Sequence, residues 1–274
     1  MTTTTDVSVL ERLAVSAAVE AGRLITDERP EQLVAAATKS SPTDVVTIMD
    51  TRAEELIRSR LLVARPGDSI LGEEGDDHGG GSDITWVLDP IDGTVNYLYD
   101  IPAYAVSVAA VTGDPRVPGE WAVVAAAVAD PCRERVYHAS QGGGAHLSTT
   151  DGEVLCRLTV GEVSELGGAL VGTGFGYTQA RRRAQGQLLL EVLPEVRDIR
   201  RIGSAALDLC MVASGQLDGF FEKGLNPWDL AGGWLLITEA GGVVTGPGGG
   251  APSAELTVAG NPAVHAALAR IVDR

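Results

Sequence analysis

The sequence predicts a mixed α+β and α/β chain in two lobes, an antiparallel α+β lobe over residues 1–155 and an alternating α/β lobe over 156–274. Three observations carry that prediction. Strand signals at 104–111, 121–129 and 135–139 follow one another with only Gly/Pro/Asp turns between them, which implies antiparallel pairing. After about residue 155, strand and helix signals alternate instead. No Pro/Ser-rich linker separates the halves, so the lobes should share one interface, with the chemistry where they meet.

Taken in order, apolar residues at 10, 13, 14, 17, 18, 21, 24 and 25 form one wide stripe at helical spacing, predicting an amphipathic helix over 9–25 that ends before Pro30. Ala53, Leu56, Ile57 and Leu61 share a face of a second helix over about 51–62, and Pro66-Gly67-Asp68 supplies the turn after it. A short strand at 69–71 leads into Gly72-Glu73-Glu74-Gly75, and 76–83, with its three glycines, reads as a loop. Alternation of Ile84, Trp86 and Leu88 predicts a strand over 85–88 that runs into Asp89-Pro90-Ile91-Asp92-Gly93-Thr94. Beyond the meander come strands at 169–172, 198–201 and 219–222, helices at 179–193, 205–214 and 229–240, and a closing strand, strand and helix.

Composition limits the function. Of 274 residues, 45% are hydrophobic and 21% charged, which excludes global disorder. With 21 Lys+Arg against 37 Asp+Glu, the formal charge is 21 − 37 = −16. Such a surface repels a phosphate backbone, and only Arg181-Arg182-Arg183 and Arg200-Arg201 offer local basic clusters, so nucleic acid is not expected as the main ligand. No apolar run approaches the ~20 residues a membrane span needs, and no basic segment followed by an apolar stretch opens the chain. A soluble, cytoplasmic protein is expected. Cys132, Cys156 and Cys210 fit neither a disulfide framework nor a thiolate zinc site and read as small core residues. His78, His138, His146 and His265 lack metal-ligand spacing and read as satisfied or solvent-facing. An anionic ligand would therefore need positive charge from elsewhere, and a bound metal could supply it.

The most restrictive segment is Trp86-Val-Leu-Asp89-Pro-Ile91-Asp92-Gly93-Thr94-Val-Asn96-Tyr97. Pro90 stiffens the backbone and Gly93 permits a tight turn. A helical turn opening at Gly93-Thr94 would aim free N–H groups at whatever lies past the strand, which suits a phosphate. Asp89 and Asp92 beside a bare anion would repel it, whereas Mg2+ held between them attracts it. A plain Asp-Gly turn is the bland reading, and the six-residue string is more restrictive than a turn requires. A phosphatase that uses an Asp nucleophile and an acid/base Asp two residues apart is disfavoured, because here the spacing is three and residues three apart on a strand do not share a face.

With these motifs the sequence resembles the inositol monophosphatase family of magnesium-dependent, lithium-sensitive sugar phosphatases, and the resemblance runs over essentially the whole chain. Its blocks are Lys39 to Asp50, Ala53-Glu54, Gly72-Glu73-Glu74-Gly75, Trp86 to Tyr97 and Gly203-Ser204-Ala205-Ala206. Then follow Asp218 to Glu222, Asn226-Pro-Trp228-Asp229-Leu-Ala231-Gly232-Gly233, Glu239 to Gly242 and Ala259 to Pro262. The resemblance implies a layered αβαβα sandwich with an antiparallel N-terminal sheet and a smaller mixed C-terminal sheet, and a homodimer. It implies two or three Mg2+ per site: Glu73, Asp89 and the Ile91 carbonyl would hold the first, and Asp89, Asp92 and Asp229 the second. Glu73 and Thr94, the latter bonded to Asp50, would orient and help deprotonate the attacking water. Gly93 and Thr94 would receive the phosphate. Asp92, Gly203, Ser204, Ala205, Glu222 and Asp229 would face the alcohol. Taken alone, Asp229 also fits a plain helix N-cap and Glu222 an exposed strand-end carboxylate. Glu74 is expected behind Glu73, and Lys39 is given no catalytic role.

Within the family, Gly93-Thr94-Val95-Asn96-Tyr97 looks like the version that acts on inositol phosphates. The expected reaction is hydrolysis of inositol-1-phosphate and related polyol phosphates. Alternatives are fructose-1,6-bisphosphate or histidinol phosphate as substrate and, in another class, an acidic interaction protein with incidental catalysis.

Overall fold

The computed structural model describes residues 6–31, 35, 37–38 and 45–274. The opening threonines and the block 39–44, with Lys39, lie outside the described residues.

Helix α1 (Val7–Asp27) is capped by Asp6, whose carboxylate accepts the Ser8 N–H at 2.9 Å. Its buried stripe of Leu10, Ala14, Ala17, Ala18, Ala21 and Ile25 is mostly alanine, which lets the helix lie close on a sheet. Strands β1 (Ala37–Thr38) and β2 (Val45–Val46) pair antiparallel ahead of helix α2 (Ile48–Ala64). That helix starts before the expected residue 51 because Thr47 and Asp50 form a capping box, which the apolar periodicity does not register.

Next come β3 (Ser69–Gly72), β4 (Ile84–Asp92), the short helix α3 (Thr94–Leu98), β5 (Ala105–Gly113), β6 (Trp121–Asp130), β7 (Arg135–Ser140), β8 (Gly144–Thr149) and β9 (Val154–Arg157). All seven strands from β3 to β9 form one sheet in chain order. Pairing is antiparallel from β4 to β9, which includes the expected run β5 to β7, while the β3/β4 edge pair is parallel because the intervening loop carries the chain back along the sheet. Strands β8 and β9 were not among the expected strands. β9 is exposed along its whole length, so it leaves no alternating pattern to read. It runs to Arg157, across the expected division at 155.

The second sheet collects β10 (Leu170–Thr173), β11 (Asp198–Arg200), β12 (Gly219–Glu222), β13 (Val243–Thr245) and β14 (Thr257–Gly260) in the order β11-β10-β12-β14-β13. It is mixed: β11, β10 and β12 are parallel, and β12, β14 and β13 antiparallel. Helices α4 (Gln179–Val192), α5 (Ala205–Ala213), α6 (Pro227–Glu239) and α7 (Pro262–Val272) connect and close it.

Strand alternation sorts the core into three layers. Trp86 and Leu88 of β4 pack with α1 and α2 on one face, while Val87 between them faces α5 and α6. Phe220 of β12 joins that same α5/α6 layer, and Phe221 turns the other way to Val264 and Leu268 of α7. The stack is therefore α1/α2, large sheet, α5/α6, small sheet, α4/α7, the expected αβαβα sandwich. The cysteines depart from expectation. Cys210 is buried, Cys132 only partly so, and Cys156 is exposed, because β9 is an edge strand with nothing packed over it. No helix among the described residues is long and apolar enough to cross a membrane.

Candidate active site

Both carboxylates of the Asp-Pro-Ile-Asp step lie on β4 itself, which continues past the expected end at 88. Between them the register on β5 slips, since Asp89 pairs with Ser107 and Asp92 with Ala105, so three residues of β4 oppose two of β5. This bulge corrects the expectation that a spacing of three sets the side chains apart. One extra residue restores a common face, and one oxygen each from Asp89, Asp92 and Asp229 lie within 4.8 Å of one another. Gly93 follows in the left-handed region at φ 99°, open to glycine without strain, and turns the chain into α3.

The remaining residues are set by local chemistry. Glu54, buried on α2, accepts the backbone N–H groups of Glu74 and Gly75 at 2.9 and 2.8 Å, and the Arg58 guanidinium holds it at 2.8 Å. The Gly72 to Gly75 loop is thereby pinned and Glu73 presented. Asp229 is not the N-cap of α6 but its third residue, where Oδ2 takes the Asn226 N–H at 2.6 Å. Asp92 reaches the other half of the chain, accepting from the Ser204 hydroxyl at 2.7 Å and the Ala206 N–H at 2.6 Å. The α5 N-terminus thus rests on an acidic side chain, as the helix dipole favours.

One cavity of about 380 Å³ gathers Glu73, Asp89, Ile91, Asp92, Gly93, Thr94, Gly203, Ser204, Ala205, Glu222 and Asp229. Asp50 alone of the expected site residues does not line it. It lies one contact behind, buried, with Oδ2 taking the Thr47 N–H and hydroxyl at 2.8 and 2.5 Å. The Thr94 hydroxyl is 3.1 Å from Asp50 Oδ1 and 3.0 Å from the Ile91 carbonyl, either of which can accept its single proton. Burial pushes Asp50 up to about 6 against the hydrogen bonds of Thr47.

Without a counter-ion this cluster repels itself. Burial, with the charges of Glu73 and Asp92, pushes Asp229 well above the ordinary carboxylate range. Burial likewise raises Asp92, although Ser204 and Ala206 donate to it. Folding gains nothing from such a convergence, whereas a hard divalent cation turns it into attraction. The all-oxygen donor set fits Mg2+.

The same cavity holds residues to which the sequence assigns no role in the site. Arg181 and Arg201 line it, so the two short basic clusters supply the local positive charge that seemed missing. Glycines make room for charged groups: a Cβ at 174 would stand 2.1 Å from the Glu222 carboxylate, and one at 224 would stand 2.4 Å from the Arg181 guanidinium. Asp208 is 2% exposed, lines the same cavity and has an Oδ1 with no hydrogen-bond partner among the described residues. Its signal was only a carboxylate in the first turn of a helix, which reads as a dipole partner. Burial, then Glu222 and Asp92, pushes Asp208 up to about 8. Burial, then Asp92, raises Glu222 to about 8.

This shift has a measurable sign. A carboxyl raised in the folded state favours folding below the unfolded value, about pH 4, and that stability is lost as pH rises to about 8. In Mg2+-free protein, Asp208→Asn should therefore melt progressively higher than wild type between pH 5 and 8, by a few °C at the upper end. A gap that does not change with pH would contradict the burial account.

Other family blocks prove structural. Glu239 accepts the Gly142 and Gly144 N–H groups and so holds the β7–β8 turn, and Asn261 caps α7.

Residues 6–274 match the inositol monophosphatase family. An inositol-1-monophosphatase of Mycobacterium leprae is 51% identical over 249 residues, covering 86% of this chain and 80% of the relative. A protein of Salmonella typhimurium named Nus factor SuhB is 38% identical over 262 residues, with 93% and 92% covered. The solved structure of Mycobacterium tuberculosis SuhB superposes with a TM-score of 0.81 at 44% identity, covering 99% of this chain and 98% of that one.

Proposed function

Because the chain belongs to the inositol monophosphatase family, and is thus a phosphoric monoester hydrolase, we propose that it hydrolyses inositol-1-phosphate and related polyol monophosphates with Mg2+. The observation that carries this is the convergence of Asp89, Asp92 and Asp229 in a cavity that also offers Glu222, Asp208 and two arginines. Asp89, Asp92 and Asp229, with Glu73 and the Ile91 carbonyl, would hold Mg2+, which when bound would supply Lewis acidity toward phosphoryl oxygens and lower the pKa of water.

The chain's own residues do the rest. Thr94, donating to Asp50, keeps a lone pair free to accept a hydrogen bond from the attacking water, and Glu73 accepts the water's other proton. Backbone N–H groups of Gly93 and Thr94 receive the phosphate. Arg181 and Arg201 draw the anion into the cavity and balance its charge. Glu222, Asp92 and the Gly203 to Ala205 segment take the ring hydroxyls, and the tie of Asp92 to Ser204 fixes that segment against the phosphate side. The reaction needs no covalent enzyme intermediate.

A substrate panel tests the reading. With Mg2+, kcat/KM should be higher for inositol-1-phosphate than for fructose-1,6-bisphosphate or histidinol phosphate, and millimolar Li+ should inhibit. A preference of about a hundredfold for either rival substrate overturns the assignment. The homodimer implied by the resemblance and the cytoplasmic location expected from the sequence belong to the same proposal. The name of the Salmonella relative raises a non-catalytic role, but four converging carboxylates in one cavity support catalysis here.

A further inference from the structure

A second cluster of ligating side chains lies away from that cavity, on the face of the large sheet covered by α1. His138 of β7 and His146 of β8 stand directly opposite in the antiparallel register, and their rings stack at 5.7 Å with 28° between planes. Glu11 of α1 reaches down to them, with Oε1 at 2.7 Å from His138 Nδ1. One donor atom from each of the three lies within 4.8 Å of the others. Eight residues apart in sequence, the histidines show no ligand spacing, and only strand register brings them together. His138 is satisfied, as expected, by Glu11 and Ser148; what the sequence spacing does not show is that His146 and Glu11 stand beside it.

We propose that Glu11, His138 and His146 form a binding site for a borderline divalent cation of the Zn2+ type. Three features favour it over a simple hydrogen-bond network. The donor set is two imidazoles and a carboxylate, which suits Zn2+ and excludes the oxygen-preferring Mg2+. Two of the three donors are already oriented from behind. Ser148 Oγ lies 2.8 Å from His138 Nε2, and the Ser140 hydroxyl donates to Glu11 Oε2 at 2.6 Å, the outer hydrogen bonds that metal ligands commonly carry. The His146 ring has no hydrogen-bond partner among the described residues, so one donor remains uncommitted.

Metal entry is chemically simple. In the metal-free form the Glu11 carboxylate can only accept, so a neutral His138 carries its proton on Nδ1 and leaves Nε2 to accept from the Ser148 hydroxyl. On binding, the proton shifts from Nδ1 to Nε2, the Ser148 hydroxyl turns to accept it, and Nδ1 and Oε1 both face the ion. Donors at about 2.1 Å from a tetrahedral ion stand roughly 3.4 Å apart, so closure needs side-chain rotations on the order of an ångström. Glu11 and His138 line a groove of about 540 Å³ beside α1, which leaves a path for the ion and a water as fourth ligand. Arg12 on the same groove donates to Ser8 rather than to Glu11. An ion bound here would tie α1 to the strands 127 positions further along the chain.

Calorimetric titration of metal-stripped full-length protein with Zn2+, in millimolar Mg2+ to fill the carboxylate cavity, tests this. Wild type should bind one Zn2+ that His146→Phe, which keeps the ring stack but not the donor, binds at least about tenfold more weakly. Glu11→Gln should weaken it likewise while retaining the Ser140 contact, and it serves if His146→Phe melts abnormally in EDTA. Asp229→Asn should leave this Zn2+ in place. Equal Zn2+ binding by wild type and both cluster variants, or loss of the ion in Asp229→Asn alone, overturns the proposal.

Discussion

Asp89→Asn should abolish nearly all Mg2+-dependent phosphate release, a loss on the order of a thousandfold, while leaving the metal-free protein at least as stable as wild type. The size follows from the several kcal/mol of charge stabilisation a catalytic cation supplies, at 1.36 kcal/mol per factor of ten. The stability result follows from the site. Asp89 is fully buried and its Oδ1 accepts the Ile91 N–H at 3.1 Å, a bond that the asparagine oxygen can keep. What the substitution removes is one negative charge from a group of three held within 4.8 Å. Activity and melting temperature should therefore move apart, whereas an aspartate kept for folding would lose both together. Phosphate release is measured with and without Mg2+, and melting in EDTA. An unchanged rate removes Asp89 from the metal site and with it the reading of the cavity.

Thr94→Val should lower kcat by about a hundredfold or more, the scale of a lost proton-handling group, with a much smaller change in KM. Valine fills the space of threonine but has no proton to donate to Asp50 Oδ1 and no oxygen to accept from water. The pH profile separates this from a packing defect. Asp50 Oδ2 already takes two Thr47 donors, so protonation falls on Oδ1 and turns it from acceptor to donor toward Thr94; burial pushes Asp50 up to about 6, so the wild-type rate should fall as pH drops through that value. With valine at 94 the Asp50 charge has nothing to act through, and that acidic limb should flatten. An unaltered limb in the variant would assign it to another group, and a selective rise in KM would make Thr94 a binding residue only.

The two predictions draw on different kinds of information. Asp89, Asp92 and Thr94 stand in one run whose strand-turn-helix character is written in local chemistry: Trp86 and Leu88 alternate, Pro90 stiffens, and Gly93 turns. The bulge that puts Asp89 and Asp92 on one face is not in that run, because it exists only against β5. Asp229 was placed by its Trp-Asp-x-Ala-Gly-Gly setting, yet its distance from β4 depends on how α6 packs between two sheets.

By itself the sequence determined the strand meander, the alternating second half, and the carboxylates offered to a cation. Those depend on periodicity, turn residues and short motifs, which act over a few positions. Tertiary structure alone decided that Arg181, Arg201 and Asp208 share the cavity of Glu222, and that Glu11, His138 and His146 meet beneath α1. Those contacts join residues far apart in sequence through register and layer packing, and nothing near Arg201 or His146 along the chain encodes what will face it.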